Sequence, residues 1–292
     1  MIQLNLPKEF EDYSKIIKDC CGNRYKYRQH ILDAEETLLR EGEKYKEQAK
    51  LNNLFCFDKA IPKSEFILGS LRLKNSHIIE LYSDRLCRYR AGDVYDKLIN
   101  LAKNPKIGCP FCGGINIPAQ IDHFLPKSRY GVFSVYPYNL IPICIECNTI
   151  YKKEFFPTTR EKQLIHPYLD SDCYFKEQWL YAEYIIDDGS KYGTISYFVN
   201  PPDKWDSDKK EKIKFHFDKF KLDQRFAQKS VEIISDLLTQ MESYKHEDIL
   251  SMEDFKKCSI DSLAKGISSI NHWKKVALMA IRAKISVIWN NL

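Results

Sequence analysis

Apolar residues recur at helical spacing in the first third of the chain. From Arg24 to Leu51 no proline interrupts the sequence, and five apolar positions fall near one face of a helix, namely Tyr27, Ile31, Ala34, Leu38 and Tyr45. Further helices are predicted at 76–89 and 93–103, the second with Asp93 as its N-cap. The pattern therefore predicts a helical region over residues 1–104.

The last part of the chain, residues 158–292, combines a short hairpin with more helices. The alternating stretches AEYII and TISYFV flank the turn-forming stretch DDGSKYG, which predicts a β-hairpin near 180–199. The final segment repeats apolar residues every three or four positions, at Ile270, Trp273, Ala277, Ile281, Ile285 and Ile288. We expect this amphipathic helix to pack into the core rather than bind a membrane. The charged run at 204–229 is expected to be a solvated helix face.

Residues 105–157 lose the helical pattern and gain Pro, Gly, Cys and aromatic residues. So short a segment buries little apolar surface, so another interaction must hold it together. The predicted fold is therefore mainly α, with a small α+β insert between N- and C-terminal helical regions.

The composition is that of a globular chain with no membrane span. The 292 residues are 44% hydrophobic and 29% charged, and no run of about 18 apolar residues occurs. The start, MIQLNLPKEFEDY, is acidic early and unlike a signal peptide, so a cytoplasmic location is expected. The net charge of +5 permits a nucleic-acid partner without requiring one.

Four of the ten cysteines form two Cys-x2-Cys pairs, Cys109 with Cys112 and Cys144 with Cys147. Two such pairs complete a tetrahedral Zn²⁺ site that leaves no open position. A redox dithiol is the alternative, but that chemistry requires only one pair. We therefore predict a structural zinc that closes residues 113–143 into a loop. The other six cysteines are expected to be free buried thiols, of which the adjacent Cys20 and Cys21 could be exposed.

Three stretches of the insert resemble the HNH endonucleases, whose core is a ββα-metal fold. They are CPFC at 109–112, IDHFLPKSRYGVFSVYPYNLIP at 121–142 and CIECNTIYKK at 144–153. The resemblance covers about 105–157 and continues weakly through IHPYLD at 165–170. It implies a metal-dependent enzyme that hydrolyses DNA phosphodiester bonds. Similar architectures occur beside ATPases, including in Septu-type anti-phage defence systems, which implies an ATPase or another defence subunit as a partner of the helical flanks.

The resemblance also implies roles for single residues. Asp122 corresponds to a metal ligand and His123 to the general base. Asn139 corresponds to the asparagine that holds the loop and orients the histidine, and Asn148 to the second metal ligand of an H-N-N variant. A hard cation with these oxygen ligands would be Mg²⁺ or Mn²⁺. The family more often has a lysine three residues after the second ligand, where Tyr151 stands here, one residue before Lys152.

Backbone geometry and charge further constrain the proposed roles. Asp122 and His123 are adjacent, so in a regular strand their side chains point to opposite faces, and serving one phosphate requires a turn or bulge there. The candidates for phosphate contacts are Lys127, Arg129, Lys152 and Lys153. Asn139 could instead be a turn residue, and Asn148 could cap the helix that follows it.

Two other functions remain open at this point. A zinc-dependent subunit that binds nucleic acid or a partner without cutting would explain the large helical flanks. RNA could replace DNA as the substrate, although the sequence has no RNP-type aromatic strand. The flanks could also form a homo-oligomer, because a single metal core attacks one strand at a time.

Overall fold

The computed structural model of the protein describes residues 1–57, 66–68, 73–103, 107–186 and 192–292. Within these ranges the α-helices are α1 (Tyr13–Cys21), α2 (Arg28–Asp33), α3 (Glu35–Lys50), α4 (Asn75–Glu80), α5 (Val94–Asn100), α6 (Cys173–Lys176), α7 (Ser207–Lys219), α8 (Leu222–His246), α9 (Met252–Phe255), α10 (Ser262–Lys265), α11 (Trp273–Ala283) and α12 (Ile285–Asn291). π-Helical turns lie at Leu81–Arg88, Cys147–Lys152 and Lys256–Asp261, and 3-10 turns at Lys8–Phe10, Leu54–Phe57, Ala91–Asp93, Gly131–Phe133 and Pro137–Asn139.

The strands described are β1 (Phe66–Leu68), β2 (Leu73–Lys74), β3 (Gln120–His123), β4 (Leu140–Ile143), β5 (Leu180–Ile185) and β6 (Thr194–Val199). They pair in sequence order into small antiparallel two-stranded sheets. The described part of the chain is thus mostly helical with small sheets, as the hydrophobic pattern predicts.

The apolar face predicted for the first long helix is buried, but the segment is two helices. Ile31, Ala34, Leu38 and Tyr45 are each at most 1% exposed. At Ala34 the backbone leaves helical geometry, with φ −99° and ψ 3°, which separates α2 from α3. The prediction of one continuous helix was wrong at this residue, where neither proline nor glycine signals a break.

Asp93 stands at the N-cap position predicted for the helix near residue 93, but it does not cap the helix. Asp93 does precede α5, but its backbone is left-handed, with φ 56°, and its side chain makes no capping hydrogen bond. An N-cap normally has extended backbone, which aims its side-chain oxygen at the first free N–H groups. The left-handed backbone of Asp93 removes that geometry. The segment predicted as a helix at 76–89 is α4 followed by the π-helical turn Leu81–Arg88.

The C-terminal predictions agree with the structure where it describes the chain. β5 and β6 form the expected antiparallel hairpin, while 187–191 of its predicted turn lie outside the described residues. The apolar positions of the last segment that lie in α11 and α12 are all buried, namely Trp273, Ala277, Ile281, Ile285 and Ile288. The segment is therefore a core-packing element. None of the described helices combines the length and apolarity needed to cross a membrane.

The charged run at 204–229 is only partly a solvated face. Lys212 is buried, and its ammonium lies 2.7 Å from Asp170 Oδ2, with both side chains at most 4% exposed. Arg225 is also buried, against the cysteine insert. A charge run can supply buried ion pairs when a carboxylate or thiolate faces it, which the sequence pattern does not reveal.

Both helical flanks contact the insert directly. Tyr45 of α3 donates a hydrogen bond to Asn139 Oδ1 at 3.0 Å, and the Tyr82 hydroxyl donates to the carbonyl of Ile121 at 3.0 Å. From the other flank, His216 Nε2 of α7 lies 2.9 Å from the carbonyl oxygen of Phe111. The insert is therefore packed between the flanks as well as framed by its cysteines.

Candidate functional site

The four cysteines of the two Cys-x2-Cys pairs form one buried cluster. The Sγ atoms of Cys109, Cys112, Cys144 and Cys147 all lie within 4.8 Å of one another, as four ligands of one ion require. Burial raises the pKa of Cys109 and of Cys147 well above the ordinary thiol value. Four buried thiolates therefore need a cation to stabilise their charge, and this donor set fits Zn²⁺.

Hydrogen-bond donors surround the sulfur atoms. The backbone N–H of Cys144 points to Cys109 Sγ at 3.4 Å, and both terminal nitrogens of Arg225 lie 3.5 Å from Cys147 Sγ. The same guanidinium pairs with Glu146 at 2.7 Å. Such outer contacts orient thiolates and offset their charge. Arg225 of α8 therefore ties the C-terminal flank to the cluster.

His123 ends β3 and is buried, with 2% of the residue exposed. Its Nε2 lies 3.0 Å from the carbonyl oxygen of Ser134. A carbonyl only accepts hydrogen bonds, so Nε2 carries the ring proton and Nδ1 has the free lone pair. Among the described residues none hydrogen-bonds Nδ1. Burial, and after it the charge of Lys127, holds the pKa of His123 well below its ordinary value, so the ring is neutral near pH 7.

The turn or bulge expected between Asp122 and His123 is not present. β3 pairs with β4 in continuous register, with Asp122 opposite Ile141 and His123 opposite Leu140. The two side chains therefore leave opposite faces of a regular strand. His123 faces Tyr82, whose ring centroid lies 4.3 Å from its own. Because β3 ends at His123, groups from both faces of the strand can approach one point beyond that end.

Asp122 forms an ion pair with the buried Lys152. The lysine Nζ lies 2.6 Å from Asp122 Oδ2 and 2.7 Å from the carbonyl oxygen of His123. The Lys152 side chain is 1% exposed, against 19% for Asp122. The prediction that Lys152 contacts nucleic acid is therefore corrected, because its ammonium is buried and already bonded to the protein.

The π-helical turn explains why Lys152 reaches Asp122. The backbone N–H of Lys153 donates to the carbonyl of Asn148 at 2.9 Å, a bond across five residues where an α-helix spans four. The extra residue directs Lys152 towards β3. Tyr151, at the position where the HNH family more often has its lysine, instead lies under the guanidinium of Arg225 at 4.5 Å.

Asn148 faces the same side of β3 as Asp122. Its Nδ2 donates to Gln120 Oε1 at 2.6 Å, and Gln120 and Asp122 are two residues apart on one strand face. Asn148 lies inside the helical turn Cys147–Lys152, so it is not the N-cap of that turn. Within the described residues, Asp122 Oδ1 and Asn148 Oδ1 accept no hydrogen bond. Two hard oxygen atoms are thus left for a cation, and this donor chemistry fits Mg²⁺ or Mn²⁺.

Asn139 is buried and fixes the loop that follows β3. Its Oδ1 accepts from the backbone N–H of Leu125 at 2.7 Å, and its Nδ2 donates to the carbonyls of Leu125 at 3.1 Å and Phe133 at 3.2 Å. Because Phe133 precedes Ser134, these bonds also position the carbonyl that holds His123. Asn139 therefore acts on the histidine through the loop, without a direct side-chain bond to it.

The remaining predicted basic contacts lie nearer the surface. The Lys127 ammonium lies 5.2 Å from the centroid of the Tyr82 ring. The Arg129 guanidinium stacks on Phe156 at 3.4 Å, and Lys153 is exposed. These three can reach a phosphate outside the protein, unlike Lys152.

The residues that sequence reasoning missed lie in the flanks. Tyr45 bonds Asn139 and lies 3.3 Å from His166 Nε2, and Tyr82 packs on His123. His166 is 1% exposed. The weak continuation of the HNH resemblance through IHPYLD was a signal for His166. Nothing comparable in the sequence indicated Tyr45 or Tyr82.

Comparison with known proteins shows a similarity that spans nearly the whole chain. The chain is 29% identical over 284 residues to Protein ea31 of Escherichia phage lambda, and the alignment covers 93% of this chain and 94% of that protein. No protein-family model and no solved structure matches the chain. The similarity to the phage protein thus extends over both helical flanks and the cysteine insert together.

Proposed function

We propose that the protein is a metal-dependent HNH endonuclease that hydrolyses DNA phosphodiester bonds. The observation that supports this most directly is the order of elements in the insert. An antiparallel pair, β3 and β4, leads directly into a helical turn, and these elements carry Asp122, His123 and Asn148 inside the four-cysteine frame. A strand pair followed by a helical turn is what a ββα-metal core requires.

His123 is the general base in this proposal. Its Nε2 is committed to the Ser134 carbonyl, so Nδ1 takes the proton from the attacking water. A neutral ring is required for this step, and burial together with Lys127 favours the neutral form. Asn139 and Tyr45 hold the loop that sets the ring orientation.

Asp122 and Asn148 would hold Mg²⁺ or Mn²⁺ through their free oxygen atoms. When bound, the cation supplies charge neutralisation at the phosphorus centre and at the leaving 3′ oxygen, and the products carry 5′-phosphate and 3′-hydroxyl ends. Because β3 ends at His123, the scissile phosphate would sit beyond the end of the strand, where groups from both faces can approach it.

A plasmid-cleavage assay with Mg²⁺ tests the proposal. His123→Ala should lower the cleavage rate on the order of 10²–10⁴-fold, the usual contribution of a general base. His246→Ala is the matched control, because His246 is exposed at the end of α8 and has no assigned role. Cleavage that survives His123→Ala at the wild-type rate contradicts the proposal.

A non-catalytic, zinc-dependent binding subunit is the second candidate. The pairing of Asp122 with the buried Lys152 favours it, because an occupied carboxylate is a poorer cation ligand. This candidate predicts nucleic-acid binding without hydrolysis under Mg²⁺ or Mn²⁺. Parallel assays on duplex DNA, single-stranded DNA and RNA also identify the substrate.

A role in anti-phage defence, with an ATPase or another defence subunit docked on the helical flanks, belongs to the proposal too.

A further inference from the structure

The proposed cation site already contains a positive charge that the chain itself supplies. The Lys152 ammonium lies 2.6 Å from Asp122 Oδ2, and its side chain is 1% exposed. The ammonium also donates a hydrogen bond to the carbonyl oxygen of His123. A buried ammonium has lost its bound water. The charge of Asp122 therefore stabilises the protonated form of Lys152.

A divalent cation at Asp122 would bring further positive charge close to this ammonium. The carboxylate carries a single negative charge and Asn148 carries none, so the site cannot neutralise both cations. Like charges a few ångströms apart repel strongly where water is excluded. We propose that Lys152 and the divalent cation compete for Asp122, so that Lys152 keeps the cation affinity of the free protein low.

The competition, which rests on the proposed endonuclease function, also defines how the site would be regulated. A phosphodiester bound beside Asp122 adds the negative charge that the site lacks. Cation and nucleic acid should therefore bind with positive coupling, and thermodynamic linkage makes that coupling reciprocal. The protein would load its catalytic cation mainly together with its substrate.

Mn²⁺ titration of the full-length, zinc-loaded protein tests the competition, with free Mn²⁺ followed by electron paramagnetic resonance. Lys152→Met should bind Mn²⁺ at least about tenfold more tightly than wild type, since a like charge close to the ion is removed. Adding Asp122→Asn to that variant should abolish the gain. Lys212→Met is the matched control, because it removes the other buried lysine–aspartate pair described above, and its Mn²⁺ affinity should stay at the wild-type value.

A second variant covers the case in which Lys152→Met loosens the fold. Lys152→Gln keeps an N–H donor for the His123 carbonyl but carries no charge, so it should also tighten Mn²⁺ binding. If both variants bind Mn²⁺ no more tightly than wild type, while binding stays sensitive to Asp122→Asn, the competition is overturned and the cation site stands. If Mn²⁺ binding is insensitive to Asp122→Asn in every background, the cation site and the competition are both overturned.

Discussion

The imidazole of His123 donates from Nε2 to the carbonyl oxygen of Ser134 at 3.0 Å. This single bond determines which ring nitrogen is free for chemistry, because a carbonyl accepts and never donates. The carbonyl is in turn held by the loop that Asn139 fixes through Leu125 and Phe133. The candidate base is therefore positioned by residues that lie outside the strand carrying it.

Removing Asn139 should cost much more stability than removing Asn148. Asn139→Ala leaves the N–H of Leu125 and two buried carbonyls without their partner, so we expect the free energy of unfolding to fall by about 2–4 kcal/mol. Asn148→Ala loses one partly exposed bond to Gln120, so a loss below about 1 kcal/mol is expected. Urea denaturation measures both, and equal losses would contradict the assigned roles.

Loss of one cysteine of the cluster should remove the zinc and destabilise the insert. For Cys144→Ser we expect less than one zinc per chain by plasma emission spectrometry and a melting temperature lower by on the order of 10 °C. Cys258→Ser is the control, since Cys258 is a free thiol that is exposed rather than buried as predicted from the sequence. An unchanged zinc content in Cys144→Ser would show that the cluster does not hold the ion.

The buried His216 should make the protein less stable in mild acid. Its Nδ1 accepts from the N–H of Ile165 at 3.1 Å and its Nε2 donates to the Phe111 carbonyl, so only the neutral ring fits. Burial lowers the pKa of His216 from 6.5 to about 3. The unfolded chain therefore takes up the proton first, and stability that is complete above about pH 6.5 falls as the pH drops towards 3.

A substitution isolates this contribution from those of other groups. Between pH 7.5 and 5.0 the wild type should lose on the order of 2 kcal/mol more than His216→Gln, from this residue alone. Urea denaturation at several pH values, with zinc present throughout, gives the difference. Identical pH dependence in the two proteins would show that His216 takes up its proton as readily when folded.

Lysines near the site should differ in their effect on the salt dependence of DNA binding. Lys127→Ala and Lys153→Ala should each weaken binding and lower the slope of log affinity against log salt by about 0.9, the value for one phosphate contact on duplex DNA. Lys152→Met should leave the slope unchanged because its ammonium is buried. The comparison uses a zinc-loaded His123→Ala background without added Mg²⁺ or Mn²⁺, with the exposed Lys257→Ala as control. A lower slope in Lys152→Met would show that Lys152 does contact a phosphate.

The sequence was informative wherever one local pattern decided the structure. Burial of Ile31, Leu38 and Tyr45 follows from helical spacing, and the four-cysteine cluster follows from two ligand pairs. The break at Ala34 has no local cause in the sequence. The burial of Lys152 depends on a π-helical turn, which no residue type signals reliably.

Contacts between distant parts of the chain were beyond such patterns. Tyr45 and Asn139 are 94 positions apart, and Arg225 and Cys147 are 78 apart. Periodicity predicts that Tyr45 faces a core, but not which polar atom its hydroxyl meets there. The support of the candidate site thus emerged only with the tertiary structure.

The contacts between the helical flanks and the insert limit how the insert can be used in protein engineering. A fragment trimmed to residues 105–157 would lose the hydroxyls of Tyr45 and Tyr82 on one side and the guanidinium of Arg225 on the other. Its cysteine cluster could still bind metal. The apolar side of β3 would be exposed, however, and the loop that Asn139 holds would lose its contact with Tyr45. The insert is therefore not expected to keep its structure when it is transferred alone, and grafts onto other scaffolds would have to include the surrounding helices.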